Sequence, residues 1–345
     1  YDFKKKKIIL RKWYDINIKQ KKFNNNNEYI EETYSQIKKS IKLWTKSDVP
    51  ISFLLSGGMD SGLLAKSFSD ISPYKINTIS LAFSQKKEKK WNEISTIKAL
   101  TKKIRSNHKT IFFNPKNFLD DFEDITSSLD EPYGGGLPSW FVFKQISKKY
   151  KVAISGTGGD EIFGNYNRFF RYCNIKIKPE KLKFYRYFYN LYRSDNIWKK
   201  KYTNLKLEHE TSDLVYEKLK KINYNSSSKN FSLLDIKTQL ADEFLYITDL
   251  FSMKHSLEVR TPYLDHNLVE LVYSYPEKYR ISKNIYKPLL RNIGKKILPK
   301  EYIFQEKKGF SLPLSHYMRG ILKPYIIKYF SKEKINQINI MKYSF

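Results

Sequence analysis

The sequence SGGMDSG at residues 56–62 follows directly on the apolar run ISFLL at residues 51–55. A short apolar run that ends at glycines is typical of a buried strand, and residues 62–69 continue with the pattern of a helix. Glycines allow another group to approach the backbone closely, and the first amide groups of a helix attract an anion. This unit predicts a strand, a loop that can hold phosphate or pyrophosphate, and a helix. A plain strand-to-helix turn, which also favours Ser, Gly and Asp, is the alternative.

The same alternation of apolar runs and helical patterns continues along the chain. Residues 76–83, 109–113 and 151–155 read as further strands, with a helix over residues 91–104 and two helical patterns before the last strand. Strands that alternate with helices favour an α/β fold with a doubly wound parallel sheet. In such sheets ligands bind outside the carboxyl ends of the strands.

The rest of the chain reads as helices and loops. Residues 1–27 are predicted to be a linker with a short strand around Ile8–Leu10, and an amphipathic helix is predicted from Glu28. Residues 169–235 are predicted to be a helical and loop insertion. From Leu234 to His255 a helical pattern returns, and the part after it is predicted to be mainly helical and broken by prolines.

Composition narrows the class of protein. The 345 residues carry 64 Lys and Arg against 35 Asp and Glu, a formal charge of +29. Such charge favours nucleic acid as a partner, because dense lysine binds phosphate. Lys far outnumbers Arg, however, and the excess is spread evenly, whereas base-reading contacts favour Arg. We attribute the charge to compositional drift and expect no nucleic-acid partner.

Location is predicted from what the sequence lacks. No apolar run approaches the ~20 residues that a membrane-spanning helix needs, and Tyr1–Leu10 does not read as a signal peptide. The one cysteine, Cys173, cannot form an internal disulfide, which agrees with a reducing compartment. We predict a cytoplasmic protein without a membrane span, in which Cys173 is ordinary packing.

The first loop has a carboxylate but no lysine. It lacks the spacing and the lysine of GxxxxGK[ST], which argues against phosphoryl transfer by the common P-loop and for a different cleavage of ATP. Asp60 would repel a bare phosphate and implies a bridging cation, for which Mg²⁺ is predicted.

A second glycine-rich stretch, SGTGGDEIFGNY at residues 155–166, again follows a predicted strand. If its loop lies at the same edge of the sheet as the first, Asp160 can share the cation with Asp60. The alternative for this stretch is a solvated turn.

Two later stretches carry charge. Glu258 and Arg260 are predicted to stand inside an apolar helical segment, where charges are usually paired or functional, and a buried structural ion pair is the alternative. Lys287, Arg291 and Lys307 lie on short segments punctuated by Pro and Gly, although a plain basic surface would look similar.

Taken in this order, the four stretches resemble the synthetase domain of the glutamine-dependent asparagine synthetase family, over about residues 28–320. The resemblance implies a sheet of the adenine-nucleotide alpha-hydrolase-like type, ATP and Mg²⁺ as ligands, and a synthetase domain over residues 28–345. It implies Asp60 and Asp160 as magnesium ligands. The residues implied to bind the nucleotide are Leu55, Ser56, Gly57, Gly58, Asp60, Ser61, Ser155, Gly156, Gly159 and Lys307.

The resemblance also implies catalytic roles. Lys287 would neutralise charge as a carboxylate attacks the α-phosphorus, and Lys307 would help with the leaving pyrophosphate. Thr157 stands where the family often has an acid that serves as base, which implies either a substitute such as Glu258 or a changed substrate. Gly62 stands where a second serine is frequent.

The family implies ammonia from a glutaminase domain that depends on an N-terminal cysteine, whereas this chain begins with Tyr1. We expect that domain, or a separate glutaminase subunit, as partner, with residues 1–27 as a remnant of the connection. The expected reaction converts aspartate to asparagine. Amidation of sugar acids or closure of a β-lactam stays open, as do an RNA-modifying enzyme, a non-catalytic scaffold and a homodimer.

Overall fold

The computed structural model describes residues 3–10, 12–83, 92–131, 133–164, 227–282, 285–303 and 312–342. The predicted insertion at 169–235 lies outside the described residues up to residue 226, and so do Cys173 and Lys307.

A five-stranded sheet organises the described residues. Its strands are β1 (Ile51–Leu54), β2 (Asn77–Phe83), β3 (Asn107–Phe113), β4 (Val152–Ile154) and β5 (Glu258–Arg260). The spatial order is β3-β2-β1-β4-β5, and every neighbouring pair is parallel. The predicted α/β fold with a doubly wound parallel sheet is confirmed.

The order of the strands reverses beside β1. The chain builds outward from β1 through β2 to β3 and then returns to the other side of β1 to form β4. Phe53 of β1 lies level with Ile154 of β4, so the loops that follow the two strands leave the sheet side by side. A parallel sheet opens a crevice for ligands at such a reversal.

Helices fill the first part of the chain around these strands. The predicted first helix is confirmed as α1, Asn26–Trp44, which begins where the Asn25 side chain accepts hydrogen bonds from the N–H groups of Asn27 and Glu28. The helices that follow are α2 (Met59–Ser69), α3 (Ile94–Lys103), α4 (Lys116–Asp120), α5 (Phe122–Ser127), α6 (Leu137–Ile146) and α7 (Gly159–Phe163). Three helices rather than two separate β3 from β4, because α4 and α5 are interrupted at Asp121.

The C-terminal part is mainly helical, as predicted. Its helices are α8 (Ser227–Asp235), a π-helix (Ile236–Leu245), α9 (Tyr246–Lys254), a 3-10 helix (Pro262–Leu264), α10 (His266–Ser274), α11 (Glu277–Arg280), α12 (Pro288–Ile297), α13 (Lys300–Ile303), α14 (Leu314–Arg319), α15 (Lys323–Tyr329) and α16 (Lys332–Ile338). Within the described ranges, no helix combines the length and the apolar character needed to cross a bilayer.

The sheet is covered on both faces. Phe53 belongs to one buried apolar cluster, with residues of α1, α2, α10 and α12, whereas its neighbour Leu54 packs against a second cluster formed by α6 and α9. Successive side chains of a strand point to opposite faces, so these two clusters are the cores above and below the sheet.

Two local predictions were wrong. Ile8–Leu10 form no strand, and Ile8 and Leu10 are exposed. Glu258 and Arg260 do not lie in a helix, because α9 ends at Lys254 and the chain then enters β5 beside β4. A three-residue strand is too short to show a period of its own in the sequence.

Candidate active site

The loop after β1 is organised by its two serines. The Ser61 hydroxyl donates to the carbonyl of Gly58 at 3.1 Å, and the N–H groups of Ser56 and Gly58 donate to the hydroxyls of Ser61 and Ser56, both at 3.2 Å. Gly58 precedes the first residue of α2, and no side chain caps that helix. The turn therefore presents serine hydroxyls and the positive end of α2 at the carboxyl end of β1.

The loop after β4 packs directly against the first loop. A Cβ atom placed on Gly159 would lie 2.8 Å from Oδ1 of Asp60, and one placed on Gly156 would lie 3.1 Å from the Cβ of Asp60. Glycine at these positions lets the two loops meet. Asp60 and Asp160 consequently lie at one place, as the sequence predicted for loops at a shared sheet edge.

Lys287 lies between the two carboxylates. Its ammonium group pairs with Asp60 and, at 2.5 Å, with Asp160. Lys287 is 5% exposed and directly precedes α12, where it takes a left-handed backbone conformation with φ of 50°. Such conformations are costly for residues other than glycine and occur often at functional sites.

Opposing effects set the charge of Lys287. Burial, the largest single effect, lowers the pKa of its ammonium group, but the carboxylates of Asp160 and Asp60 more than offset this effect and raise the pKa above its ordinary value. Lys287 is thus a fixed positive charge at neutral pH.

Two buried tyrosines anchor the first turns of α2 and α7, and the sequence analysis gave neither a role. The Tyr263 hydroxyl donates to the backbone carbonyl of Asp60 at 3.1 Å, and the Tyr273 hydroxyl donates to that of Glu161 at 3.3 Å. Burial raises the pKa of both hydroxyls, so they remain donors. Tyr263 lies three residues after Arg260, one of the charged residues that the sequence singled out, and this was the available signal.

The carboxylate oxygens of Asp60 and Asp160 are suitable ligands for a magnesium ion. Mg²⁺ prefers oxygen ligands and is commonly held by one or two carboxylates together with substrate phosphates and water. Among the described residues no group of three or more His, Cys, Asp or Glu side chains could hold a metal. Asp60 and Asp160 would therefore hold Mg²⁺ only together with phosphate and water.

The loops open into a cavity of about 500 Å³. We call Asp60, Asp160 and Lys287 its charged end. Five apolar residues from β2, α6 and α9 also line the cavity, and we call them the apolar wall: Ile79, Leu81, Val142, Phe143 and Ile247. A cavity with an apolar surface and a few convergent charges is the usual form of a small-molecule site.

Most of the predicted site residues line this cavity. Those that do are Leu55, Ser56, Gly58, Asp60, Ser61, Ser155, Gly156, Thr157, Asp160 and Lys287. Gly57 lies in the first loop and Gly159 begins α7, and neither residue lines the cavity. Lys307 is outside the described residues.

Thr157 lines the cavity, and its hydroxyl lies 2.8 Å from that of Ser155. A hydroxyl with an ordinary alcohol's acidity is no general base at neutral pH. The acidic side chains that line the cavity within the described ranges are Asp60, Glu93, Asp160 and Glu161.

Glu258 lies away from the cavity, contrary to the role that the resemblance implied. It is level with Val152 at the amino-terminal end of its strand, whereas the loops leave the carboxyl ends. Its carboxylate is 57% exposed and accepts a hydrogen bond from Nε of Arg260 at 2.7 Å. Arg260 also donates to the carbonyls of Trp44 and Lys46 at the end of α1. The pair is structural and partly exposed rather than buried.

The sequence analysis missed several cavity residues, among them Tyr302 of α13, Tyr133, and Phe244 of the π-helix. These residues come from separate elements and form no local motif. Gly62 was the one local indication, because a glycine inside a predicted helix often has another side chain packed against its backbone. That side chain is Tyr302.

Comparison of the sequence with known proteins identifies a family and several relatives. A family model described as Asparagine synthase matches residues 32–345. The chain is 23% identical to glutamine-hydrolyzing asparagine synthetase 1 of Bacillus subtilis (strain 168), over 92% of this chain and 55% of that protein. It is 27% identical to glutamine-hydrolyzing asparagine synthetase 3 of the same organism, over 80% of this chain and 47% of that protein.

A mammalian relative gives a similar result. The glutamine-hydrolyzing asparagine synthetase of Rattus norvegicus is 25% identical over 79% of this chain and 41% of that protein. The chain spans about half the length of the curated relatives it matches.

Proposed function

Because this chain belongs to the asparagine synthase family, we propose that it uses ATP to adenylate a carboxylate and then lets ammonia displace AMP to leave an amide. In the first step a carboxylate oxygen attacks the α-phosphorus, a bond to phosphorus forms, and pyrophosphate leaves. In the second step ammonia attacks the activated carbonyl carbon, loses a proton, and releases AMP.

One observation carries the proposal. Two glycine-rich loops meet at the reversal point of the sheet, and Lys287 lies between their aspartates, Asp60 and Asp160. A nucleotide bound over the first loop would have its phosphates between the positive end of α2 and this lysine. Fixed charges of this kind favour the build-up of negative charge on the phosphates in the transition state.

Each part of the cavity has a task in this proposal. Ser56, Gly58 and Ser61 bind the phosphates, and the apolar wall gives the adenine a surface to lie on. Mg²⁺ held by Asp60 and Asp160 would neutralise charge on the phosphates. Lys287 keeps its positive charge at the same place throughout the working pH range. Glu93 and Glu161 are the carboxylates available to take the proton from the ammonia adduct.

Aspartate is the first acceptor to test, because the relatives are named asparagine synthetases. A second acceptor class, sugar acids, is supported by Thr157, which supplies a hydroxyl where an acid could have met an amino group. A pocket without that acid suits an acceptor that has no ammonium group next to its carboxylate.

The proposed domain covers residues 28–345, and the proposed source of ammonia is glutamine hydrolysed by another domain or subunit. The relatives described above are all named as glutamine-hydrolyzing enzymes, which supports that partner. Ammonium salts replace it in an assay, so the synthetase reaction can be measured on this chain alone.

The test is pyrophosphate release from ATP and Mg²⁺ in the presence of ammonium, with aspartate, a panel of uronic acids, or no acceptor. Asp60→Ala serves as the blank, because it removes a proposed magnesium ligand. We expect release that depends on a carboxylate and exceeds the blank, together with the corresponding amide.

The acceptors separate the candidates. Release with aspartate and formation of asparagine establish the asparagine-forming reaction despite Thr157. Release only with a sugar acid assigns the second class. Release at the level of the Asp60→Ala blank with every acceptor contradicts the proposal.

A further inference from the structure

Tyr302 occupies space that a side chain at Gly62 would fill. A Cβ atom placed on Gly62, in the first turn of α2, would lie 2.5 Å from Cε1 and 3.1 Å from Cζ of Tyr302. Real Cβ atoms do not approach a ring so closely, so the ring and a larger residue at position 62 exclude each other. The tyrosine is therefore packed against the backbone of the helix that begins at the phosphate-binding loop.

The hydroxyl of Tyr302 is buried without a hydrogen bond. The residue is 2% exposed, it lines the cavity, and its hydroxyl oxygen has no hydrogen-bond partner among the described residues. A buried hydroxyl usually has a partner, and the lack of one costs free energy. The hydroxyls of Tyr263 and Tyr273, by comparison, each donate to a backbone carbonyl, in the first turns of α2 and α7.

Arg291 fixes the position of this tyrosine relative to the charged end. Its guanidinium donates to the carbonyl of Ile303 at 2.7 Å and to that of Tyr286 at 3.0 Å. The N–H of Arg291 donates to the carbonyl of Lys287 at 2.9 Å. The Arg291 side chain thus joins the segments that carry Tyr302 and Lys287, and both of these residues line the same cavity.

The hydroxyl keeps its proton at neutral pH and can therefore donate a hydrogen bond. Burial, and then the negative charge of Glu93, raise the pKa of Tyr302 above its ordinary value. A protonated hydroxyl beside the first turn of α2 matches an anion held at that turn, since the oxygens of a phosphate lack hydrogens of their own.

We propose that the Tyr302 hydroxyl donates a hydrogen bond to an oxygen of the β–γ end of ATP, and keeps that bond to the pyrophosphate that leaves. This inference rests on the proposed function, because it needs ATP over the loop after β1. It assigns to Tyr302 a ligand contact at the first turn of α2, in addition to those proposed for Asp160 and Lys287. Gly62 is then the residue that makes room for the contact.

The test compares Tyr302→Phe with the wild-type chain by calorimetric titration of magnesium pyrophosphate, magnesium ATP and AMP. Phenylalanine keeps the ring against Gly62 and removes only the hydroxyl. We expect binding of pyrophosphate and of ATP to weaken about tenfold, as is usual for a hydrogen bond to a charged group. AMP, which lacks the β–γ end, should bind within about twofold of wild type.

A matched control shows whether the hydroxyl serves the fold instead. Tyr275 is also buried, and its hydroxyl bonds to that of Thr33 at 3.3 Å, in the core formed by α1 and α10. Tyr275→Phe should lower the melting temperature of the unliganded chain and leave pyrophosphate binding unchanged. Tyr302→Phe should leave that temperature unchanged or raise it, because it removes a buried donor that has no partner there.

The outcomes are distinct. Wild-type chain that binds neither magnesium ATP nor pyrophosphate contradicts the proposed function and this inference with it. Wild-type binding that Tyr302→Phe leaves unchanged overturns the inference alone. Equal loss for AMP and pyrophosphate also overturns it, because the hydroxyl would then not act on the β–γ end.

Discussion

The charged end and the apolar wall of the cavity differ in how they can act on a nucleotide. The charged end places Asp60, Asp160 and Lys287 in one fixed group, whereas the wall offers apolar side chains from three separate elements. Charge that is fixed before the reaction stabilises the transition state more than the bound substrate. Apolar contact with the adenine ring, by contrast, stabilises both states equally. Changes at the charged end should therefore lower kcat, and changes at the wall should raise KM.

The largest effect is expected for Asp60→Asn. The substitution removes a proposed magnesium ligand and one partner of Lys287, and we expect kcat for pyrophosphate release to fall about a thousandfold, at the upper end for a preorganised charge. Asp70→Asn is the matched control, because Asp70 follows the last residue of the same helix and pairs with Lys66. A loss shared by both variants would mean that the effect comes through the helix rather than through the charge.

A somewhat smaller loss, about a hundredfold in kcat, is expected for Lys287→Met, since a magnesium ion would still neutralise part of the charge. Lys295→Met, an exposed change on the same helix, should have no effect. If Lys287→Met raised KM and left kcat unchanged, Lys287 would bind the ground state and the transition state equally.

The pH dependence follows from the raised pKa of Lys287. Its ion pairs contribute fully to stability below the ordinary pKa of 10.5, and this contribution is lost only as the pH rises through the higher folded-state value. The ratio of the kcat values of wild type and Lys287→Met, and the difference between their unfolding free energies, should therefore stay constant between about pH 6 and pH 9. A difference that vanishes within this interval, followed by activity assay and denaturant titration, would mean that the ammonium is not held by the two carboxylates.

The wall should give the opposite kinetic pattern. Leu81→Ala removes apolar surface next to the proposed adenine, and we expect KM for ATP to rise about tenfold while kcat stays within about twofold. Phe112→Ala is the control, because Phe112 lies on the neighbouring strand with its side chain exposed. If Leu81→Ala lowered kcat and Phe112→Ala did not, the wall would also stabilise the transition state, and the assignment of kcat effects to the charged end would be wrong.

The smallest effect is expected for Glu258→Gln. Its carboxylate lies at the amino-terminal end of β5 and pairs with Arg260 in a partly exposed position. We expect amide formation to be unchanged and the unfolding free energy to fall by less than about 1 kcal/mol, as for most exposed ion pairs. A loss of amide formation with retained pyrophosphate release would restore Glu258 as the base.

The charged end was predictable because its chemistry needs particular residues at neighbouring positions. Asp60 and Asp160 each follow a buried strand within a few residues, and parallel strands end at one edge of the sheet. The two local motifs were therefore enough to predict that these aspartates lie close together. Lys287 was recognised by its family motif, since nothing in the spacing alone shows that a residue more than 200 positions away reaches Asp60.

The wall and β5 were not predictable in the same way. Apolar residues such as Val142 and Ile247 read as ordinary core, because lining a cavity and filling a core require the same side chains. Glu258 was misplaced because its three-residue strand depends on pairing with β4, which no local pattern records. Tyr302 was not predicted, because the residue that it packs against, Gly62, lies 240 positions earlier in the chain.

The most direct test of the central claim follows one oxygen atom. The carboxylate of the acceptor found in the pyrophosphate assay is labelled with heavy oxygen, the reaction is run with ATP, Mg²⁺ and ammonium, and the AMP is analysed by mass spectrometry. Attack on the α-phosphorus predicts that each AMP carries one labelled oxygen from the acceptor. Unlabelled AMP, or label found instead in inorganic phosphate beside ADP, would contradict adenylation and require a different cleavage of ATP.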